Sequence, residues 1–176
     1  MPISKQHTMR IGIDVGGVMV QHDSSVENYD RKEDTNFDPT QVPWMEGLFQ
    51  ALDALKADGH ELFIVSFCGA RREAETRAAL KARHVSNWIP EQNWFFTRDR
   101  KLKVKVCRDQ GLQFMIDDRL DILQSFPPES SVHLIWFNPG ASVQHGVKKV
   151  NAPKRIIHCD DWQSVAERIK VLASCQ

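Results

Sequence analysis

Six short apolar runs punctuate the chain, at Arg10–Val15, Glu61–Phe67, Trp94–Thr97, Gln113–Ile116, Val132–Phe137 and Arg155–His158, with segments of helical period between them. Near-continuous hydrophobicity is what strands need when both faces are covered. The alternation therefore predicts βα units around a central, mostly parallel sheet: an α/β, three-layer Rossmann-like fold. Four helices are expected. Met45–Asp58 carries Leu48, Ala51, Leu52 and Leu55 at i, i+3, i+4 and i+7 and stops at Asp58-Gly59. Ala70–Arg83 is rich in Ala, Glu and Arg, with Leu80 facing inward. Lys103–Asp109 closes at Gly111, and Asp161–Ala173 sets Val165, Ile169 and Leu172 on one stripe. No internal repeat or linker interrupts the series.

One stretch breaks the rhythm. Residues Gln21–Pro43 are polar, include Asp23, Asp30, Asp34 and Asp38, and show neither period. A loop this long in a compact domain is usually functional or mobile. It follows the first strand, so it is expected over that strand's carboxyl end, the edge where open α/β sheets bind ligands.

Composition narrows the class without naming a chemistry. The 176 residues predict one domain, spanning 1–176, with little room for a second. Lys and Arg number 23, as do Asp and Glu, so net charge indicates neither nucleic acid nor an anionic membrane as partner. The longest apolar runs, such as Leu62–Val65 and Leu134–Phe137, fall far short of the roughly 20 residues of a membrane span. The first ten residues lack the apolar core of a secretory signal, and the expected location is cytoplasmic. Cys68, Cys107, Cys159 and Cys175 show no metal-binding spacing and are expected as free thiols in a reducing compartment.

The chemistry is concentrated at strand ends. The first strand delivers Asp14 and turns at Gly16-Gly17; the second ends in Ser66. Lys101, Lys103 and Lys105 cluster at a helix start, and a fourth strand ends in Asp117-Asp118. Converging aspartates repel one another unless a cation joins them, and oxygen-only ligation suits octahedral Mg²⁺. A carboxylate beside such an ion can attack phosphorus, splitting one hard displacement into two. A hydroxyl and a lysine would hold the remaining phosphoryl oxygens. Each residue alone has a plainer reading, as turn, cap or solvated charge; their conjunction and order carry the reading.

These residues, in this order, resemble the haloacid dehalogenase superfamily of phosphohydrolases over about residues 9–125. The resemblance implies Asp14 as nucleophile, Ser66 and Lys103 as phosphate-binding residues, with Lys101 in reserve. It implies a Mg²⁺ site of Asp14, the Gly16 carbonyl, Asp117 and Asp118. The implied activity is Mg²⁺-dependent phosphate ester hydrolysis through an aspartyl-phosphate.

The sequence departs from the family two residues after the nucleophile, where its phosphatases usually carry a second Asp as general acid and base. Here that residue is Gly16. Loss of such a group costs ~10²–10⁴ in rate. Three readings follow: a phosphohydrolase using a good leaving group or an acid from the loop, with His22 and Asp23 nearest; a phosphate- or metal-binding protein without turnover; and, less favoured, a dehalogenase, whose halide needs no proton.

Asp14 and Ser66 are 52 positions apart, and Ser66 and Lys103 37. Neither interval holds a folded cap once the expected helices and strands are placed, leaving only Gln21–Pro43 as cover. Capless relatives act on large phosphorylated substrates or borrow a neighbouring subunit as lid, so a macromolecular substrate and a homo-oligomer are both compatible with this chain. Arg71 and Arg72 are candidates for contacting a second phosphate, or are ordinary helix charges. Trp88, Trp94, Trp136 and Trp162 are expected as core or interface, and Trp44 as a residue able to face the site. The turn Asn138-Pro139-Gly140 begins a loop, running through Val147, that is expected to line the pocket. His133, His145 and His158 have no ligand spacing.

Overall fold

The computed structural model describes residues 7–21, 37–140 and 155–175. Six strands, β1 (Arg10–Ile13), β2 (Glu61–Phe67), β3 (Trp94–Thr97), β4 (Phe114–Asp117), β5 (His133–Phe137) and β6 (Ile156–Cys159), form one sheet in the order β3-β2-β1-β4-β5-β6. Every pairing in it is parallel. The helices are α1 (Leu48–Ala57), α2 (Ala70–Ala82), α3 (Leu102–Asp109), α4 (Leu120–Gln124) and α5 (Trp162–Ala173). Among the described residues no helix is long and apolar enough to cross a membrane.

Alternation of side chains along the strands divides the core in two. Ile11, Ile13, Ile64, Phe114, Ile116 and Ile135 pack with Leu48, Leu52 and Leu55 of α1 and Trp162, Val165 and Ile169 of α5. On the other face Phe63, Val65, Met115 and Leu134 meet Cys107 of α3 and Leu123 of α4. Full burial of side chains of this size contributes about 1.5–3 kcal/mol each, so both helical layers are held mainly by this contact. Gly12 lies on the α3 face, where a Cβ would come within 2.8 Å of Leu112 Cδ1 and 3.1 Å of Met115 Sδ. Close packing beneath α3 thus favours glycine there.

Local chemistry sets the element ends. Helix α1 begins at Leu48 rather than Met45 because Gly47 adopts φ +75°, a left-handed conformation that breaks the helix before it. Asp161 accepts from the Ser164 amide at 2.6 Å, capping α5. Helix α4, which the periodicity did not predict, is five residues long and buries Ile122 and Leu123. The expected loop 21–43 is described only at its ends. Asp38 caps a single tight turn at Pro39–Gln41, and Gln21 donates its amide to the Pro43 carbonyl at 2.8 Å. His22, Asp23, Asp30 and Asp34 lie outside the described residues, as do His145 and the loop from Ala141 through Val147.

Behind β1 the chain doubles back. Val20 donates its amide to the Val15 carbonyl, Met45 donates to Met19, and the Trp162 indole donates to the Val18 carbonyl at 2.9 Å. Val18 and Met19 are fully buried, so the turn carrying Gly16 and Gly17 is anchored in the core while Gly16 itself is exposed.

Candidate active site

Parallel register brings the acids together. Ile13 is paired with Ile116 and Ile64, which puts Asp14 level with Asp117 on one neighbouring strand and one step short of Ser66 on the other. The Asp14 amide donates to the Ile116 carbonyl at 3.0 Å, extending this register past the end of β1. Adjacent strands lie roughly 5 Å apart, so level side chains on one face must meet. Both aspartates share the face of Gly12 and Met115, the one covered by α3.

Helix α3 delivers the third partner. Lys103 is 2% exposed, and its Nζ lies 3.0 Å from Asp14 Oδ2 and 2.7 Å from Asp117 Oδ2. Lys103 and Cys107 form the buried stripe of α3, one helical turn apart. Lys101 and Lys105 are exposed, whereas helical phase turns Lys103 toward the sheet. Asp14 Oδ1 accepts from the Val15 amide at 2.8 Å, and Asp117 Oδ1 from the Arg119 amide at 2.9 Å. Both carboxylates are therefore fixed in orientation, with one oxygen tied to backbone and the other to the ammonium.

Asp14, Asp117 and Asp118 each offer a carboxylate oxygen within 4.8 Å of the others'. The one Lys103 ammonium is shared between two buried carboxylates, Asp14 and Asp117, which leaves that pair short of positive charge. Burial, followed by the Asp14 charge, pushes the Asp117 carboxyl up to about 7 against the opposing pull of Lys103. Burial alone would lower the Lys103 ammonium, but Asp14 and Asp117 together outweigh it and hold the group above the ordinary lysine value. An all-oxygen donor set with this deficit fits a hard divalent cation such as Mg²⁺.

Ser66 is 5% exposed at the carboxyl end of β2, and Thr97 Oγ1 donates to its carbonyl at 3.4 Å. Beyond it, Arg98 binds the following loop: Nη1 donates to the Cys68 carbonyl at 2.9 Å and Nη2 to Glu73 at 2.6 Å in the first turn of α2. Arg77 also donates to Glu73, at 2.8 Å. The two arginines, Arg98 first, hold the Glu73 carboxyl below its usual range. Arg98 was not apparent from sequence, although its place just after β3 marks the same sheet edge. Cys68 is buried, and burial raises its thiol, which argues against a thiolate nucleophile here.

Among the described residues, two cavities of note open on this edge. One, of about 360 Å³, is lined by Gly17, Gln21, Met45, Asp118, Phe137 and Asn138, and so includes the start of the turn expected to border the pocket. The other, of about 480 Å³, lies between the β3–α3 connection and α4. Arg71 is paired with Glu75 at 3.1 Å along the exposed surface of α2. Trp44 lies before α1 and packs edge-on against Phe49, while Trp88, Trp94 and Trp162 donate to Asp53, Ile89 and Val18 within the framework.

No protein-family model matches the sequence, and no curated protein is significantly similar to it. Solved structures do match. A D,D-heptose 1,7-bisphosphate phosphatase from B. bronchiseptica, complexed with magnesium and phosphate, superposes with TM-score 0.62 at 16% identity, over 92% of this chain and 98% of its own. The corresponding phosphatase from Burkholderia thailandensis gives 0.60 at 12%, over 92% and 98%. A haloacid dehalogenase-like family hydrolase from Xanthomonas campestris gives 0.59 at 13%, over 97% and 100%. The chain has the fold of the haloacid dehalogenase-like hydrolases.

Proposed function

We propose that this chain is a Mg²⁺-dependent phosphohydrolase of the haloacid dehalogenase superfamily, with Asp14 as nucleophile. The observation that carries the reading is the buried Lys103 ammonium bonded to both Asp14 and Asp117, with Asp118 alongside, at the carboxyl edge of the sheet. A magnesium and a phosphate are bound in the B. bronchiseptica relative of the same fold, in keeping with that reading.

The cation would be held by Asp14, Asp117, Asp118 and the Gly16 carbonyl. Bound there, it would offset the charge of three carboxylates and polarise a phosphoryl oxygen. Asp14 attacks phosphorus through one carboxylate oxygen; the bond from phosphorus to the leaving oxygen breaks, and that oxygen departs with the electron pair. Lys103 orients the Asp14 carboxylate and, with Ser66, neutralises charge developing on the transferred group. Water then adds to the phosphorus of the aspartyl-phosphate, releasing phosphate and restoring Asp14. With Gly16 two residues after Asp14, no side chain at that position protonates the leaving oxygen, so esters of acidic alcohols are the favoured substrates. The 360 Å³ cavity beside Asp118 offers space to a leaving group that carries no charge of its own.

A second reading is favoured by Gly16 itself: a protein that binds Mg²⁺ and phosphate without turnover. Hydrolysis of p-nitrophenyl phosphate with Mg²⁺, abolished by Asp14→Asn, is the expected result. Absence of turnover from every ester tried, with Mg²⁺-dependent phosphate binding retained, would establish the second reading instead. In the described residues, the interval between Ser66 and Lys103 is filled by α2, two tight turns and β3. This supports a capless single domain whose site takes its cover from residues 21–43, from a large substrate or from another subunit.

A further inference from the structure

Once Lys103 occupies the acid cluster, Lys101 is left without a role, and so is its neighbour Arg100. Both line the 480 Å³ cavity together with Phe67, Arg98, Asp99 and Asp121. Phe67 is the residue after Ser66, and Lys101 is two before Lys103, so this cavity adjoins the elements that deliver both residues.

The charges in it are unequally satisfied. Asp121 is bound twice by Arg119, at 3.1 and 2.9 Å, and Arg98 is committed to Cys68 and Glu73. Asp99 turns Oδ1 to the Lys101 amide at 2.9 Å. Among the described residues neither Arg100 nor Lys101 has an ion-pair partner, and Nε of Arg100 is sealed from solvent with no acceptor. The Arg100 guanidinium lies over the Phe67 ring, 4.9 Å from its centroid, and Phe67 is itself 37% exposed. A guanidinium over an aromatic face is held by the ring's negative face, and its free Nη N–H groups match the tetrahedral oxygens of phosphate. The 360 Å³ cavity is the opposite case: Asp118 is the charged residue in its lining, and an anion would be repelled there.

We propose that Arg100 and Lys101 form a subsite for a second phosphate of the substrate whose first phosphate is held at Asp14, making a small bisphosphorylated metabolite the preferred ligand class. The inference rests on the phosphohydrolase reading for the position of the first phosphate, but binding alone tests it.

Calorimetric titration of the Asp14→Asn protein with Mg²⁺ would compare fructose 1,6-bisphosphate and glucose 1,6-bisphosphate with fructose 6-phosphate and glucose 6-phosphate. At least one bisphosphate is expected to bind roughly tenfold or more tightly than its monophosphate. The added pair Arg100→Gln and Lys101→Gln should remove that preference by weakening the bisphosphate alone. Arg71→Gln with Arg72→Gln, which deletes the same charge from α2, should leave the preference in place. Equal losses from both pairs, equal losses for mono- and bisphosphates, or no bisphosphate preference across the panel would each overturn the subsite. Wild-type protein that prefers bisphosphates but hydrolyses no ester would count against the phosphohydrolase reading and for the subsite. Hydrolysis of monophosphates without any preference would do the reverse.

Discussion

Nζ of Lys103 lies 2.7 Å from Oδ2 of Asp117, with both side chains closed to solvent. A buried ion pair of this kind is weak evidence for stability as a whole, but breaking it from one side is costly because the surviving charge has no solvent. Lys103→Met is therefore expected to lower unfolding free energy by about 3–5 kcal/mol in metal-free buffer. Urea denaturation measures it, and millimolar Mg²⁺ should recover part of the loss, since a cation bound only by the folded acids stabilises by mass action. A Lys103→Met protein as stable as wild type without Mg²⁺ would contradict the arrangement.

Gly16 is exposed, and its backbone lies outside the left-handed region that Gly17 occupies at φ +74°. A side chain can be installed there without conformational strain. Gly16→Asp should raise kcat for alkyl phosphates by roughly 10²-fold or more, with a much smaller gain for aryl phosphates, because only the alkoxide needs the added proton. Steady-state rates on the two ester classes give the comparison; equal gains would mean that the new carboxylate acts by some route other than protonation.

Gly12→Ala would put a methyl group 2.8 Å from the end of Leu112 and 3.1 Å from the Met115 sulfur. Both are ends of flexible side chains, so the layer beneath α3 gives way at a price of about 1–3 kcal/mol rather than collapsing. A melting curve shows the loss, and Leu112→Ala in the same protein should relieve part of the clash while adding its own cavity cost. Additive losses from the two changes would rule out the contact as the cause.

His60 is buried, and its Nδ1 accepts the Met9 amide at 3.2 Å, which requires the neutral ring. Burial, partly opposed by Asp58, lowers its pKa below the ordinary 6.5. As pH falls through 6.5 the unfolded chain takes up the proton first, so stability present above that pH is lost on acidification toward the folded value. The slope from this one group cannot exceed about 1.4 kcal/mol per pH unit. Urea titrations at pH 7.5 and 5.5 should show a shallower acid loss in His60→Gln than in wild type.

The periodicity and strand-end chemistry made most of this legible in advance. All six strands emerge from apolar runs because a sheet covered on both faces leaves no polar positions to blur them. Four helices follow from their stripes, with ends displaced where a cap decides: Gly47 delays α1, and Asp161 stands outside α5. Helix α4 escaped because five residues are too few to establish a period, although Leu120, Ile122 and Leu123 follow the Asp pair directly. Among the candidates, Asp14, Ser66, Lys103 and Asp117-Asp118 all arrive at one sheet edge. Arg98 and Arg100 did not stand out, because an arginine's partner depends on side-chain reach across elements, and nothing in local spacing records that Arg98 ends at Glu73 or Arg100 over Phe67.

The pairing of Ile13 with Ile116 joins segments about a hundred positions apart along the chain. Asp14 and Asp117 become neighbours only when that distant closure is complete, at the slow, high-contact-order end of folding. Any ligand that bridges them is blind to collapsed intermediates and recognises the finished sheet alone. The acid cluster therefore doubles as a timer: ligand capture in a refolding experiment dates the moment when β4 docks beside β1.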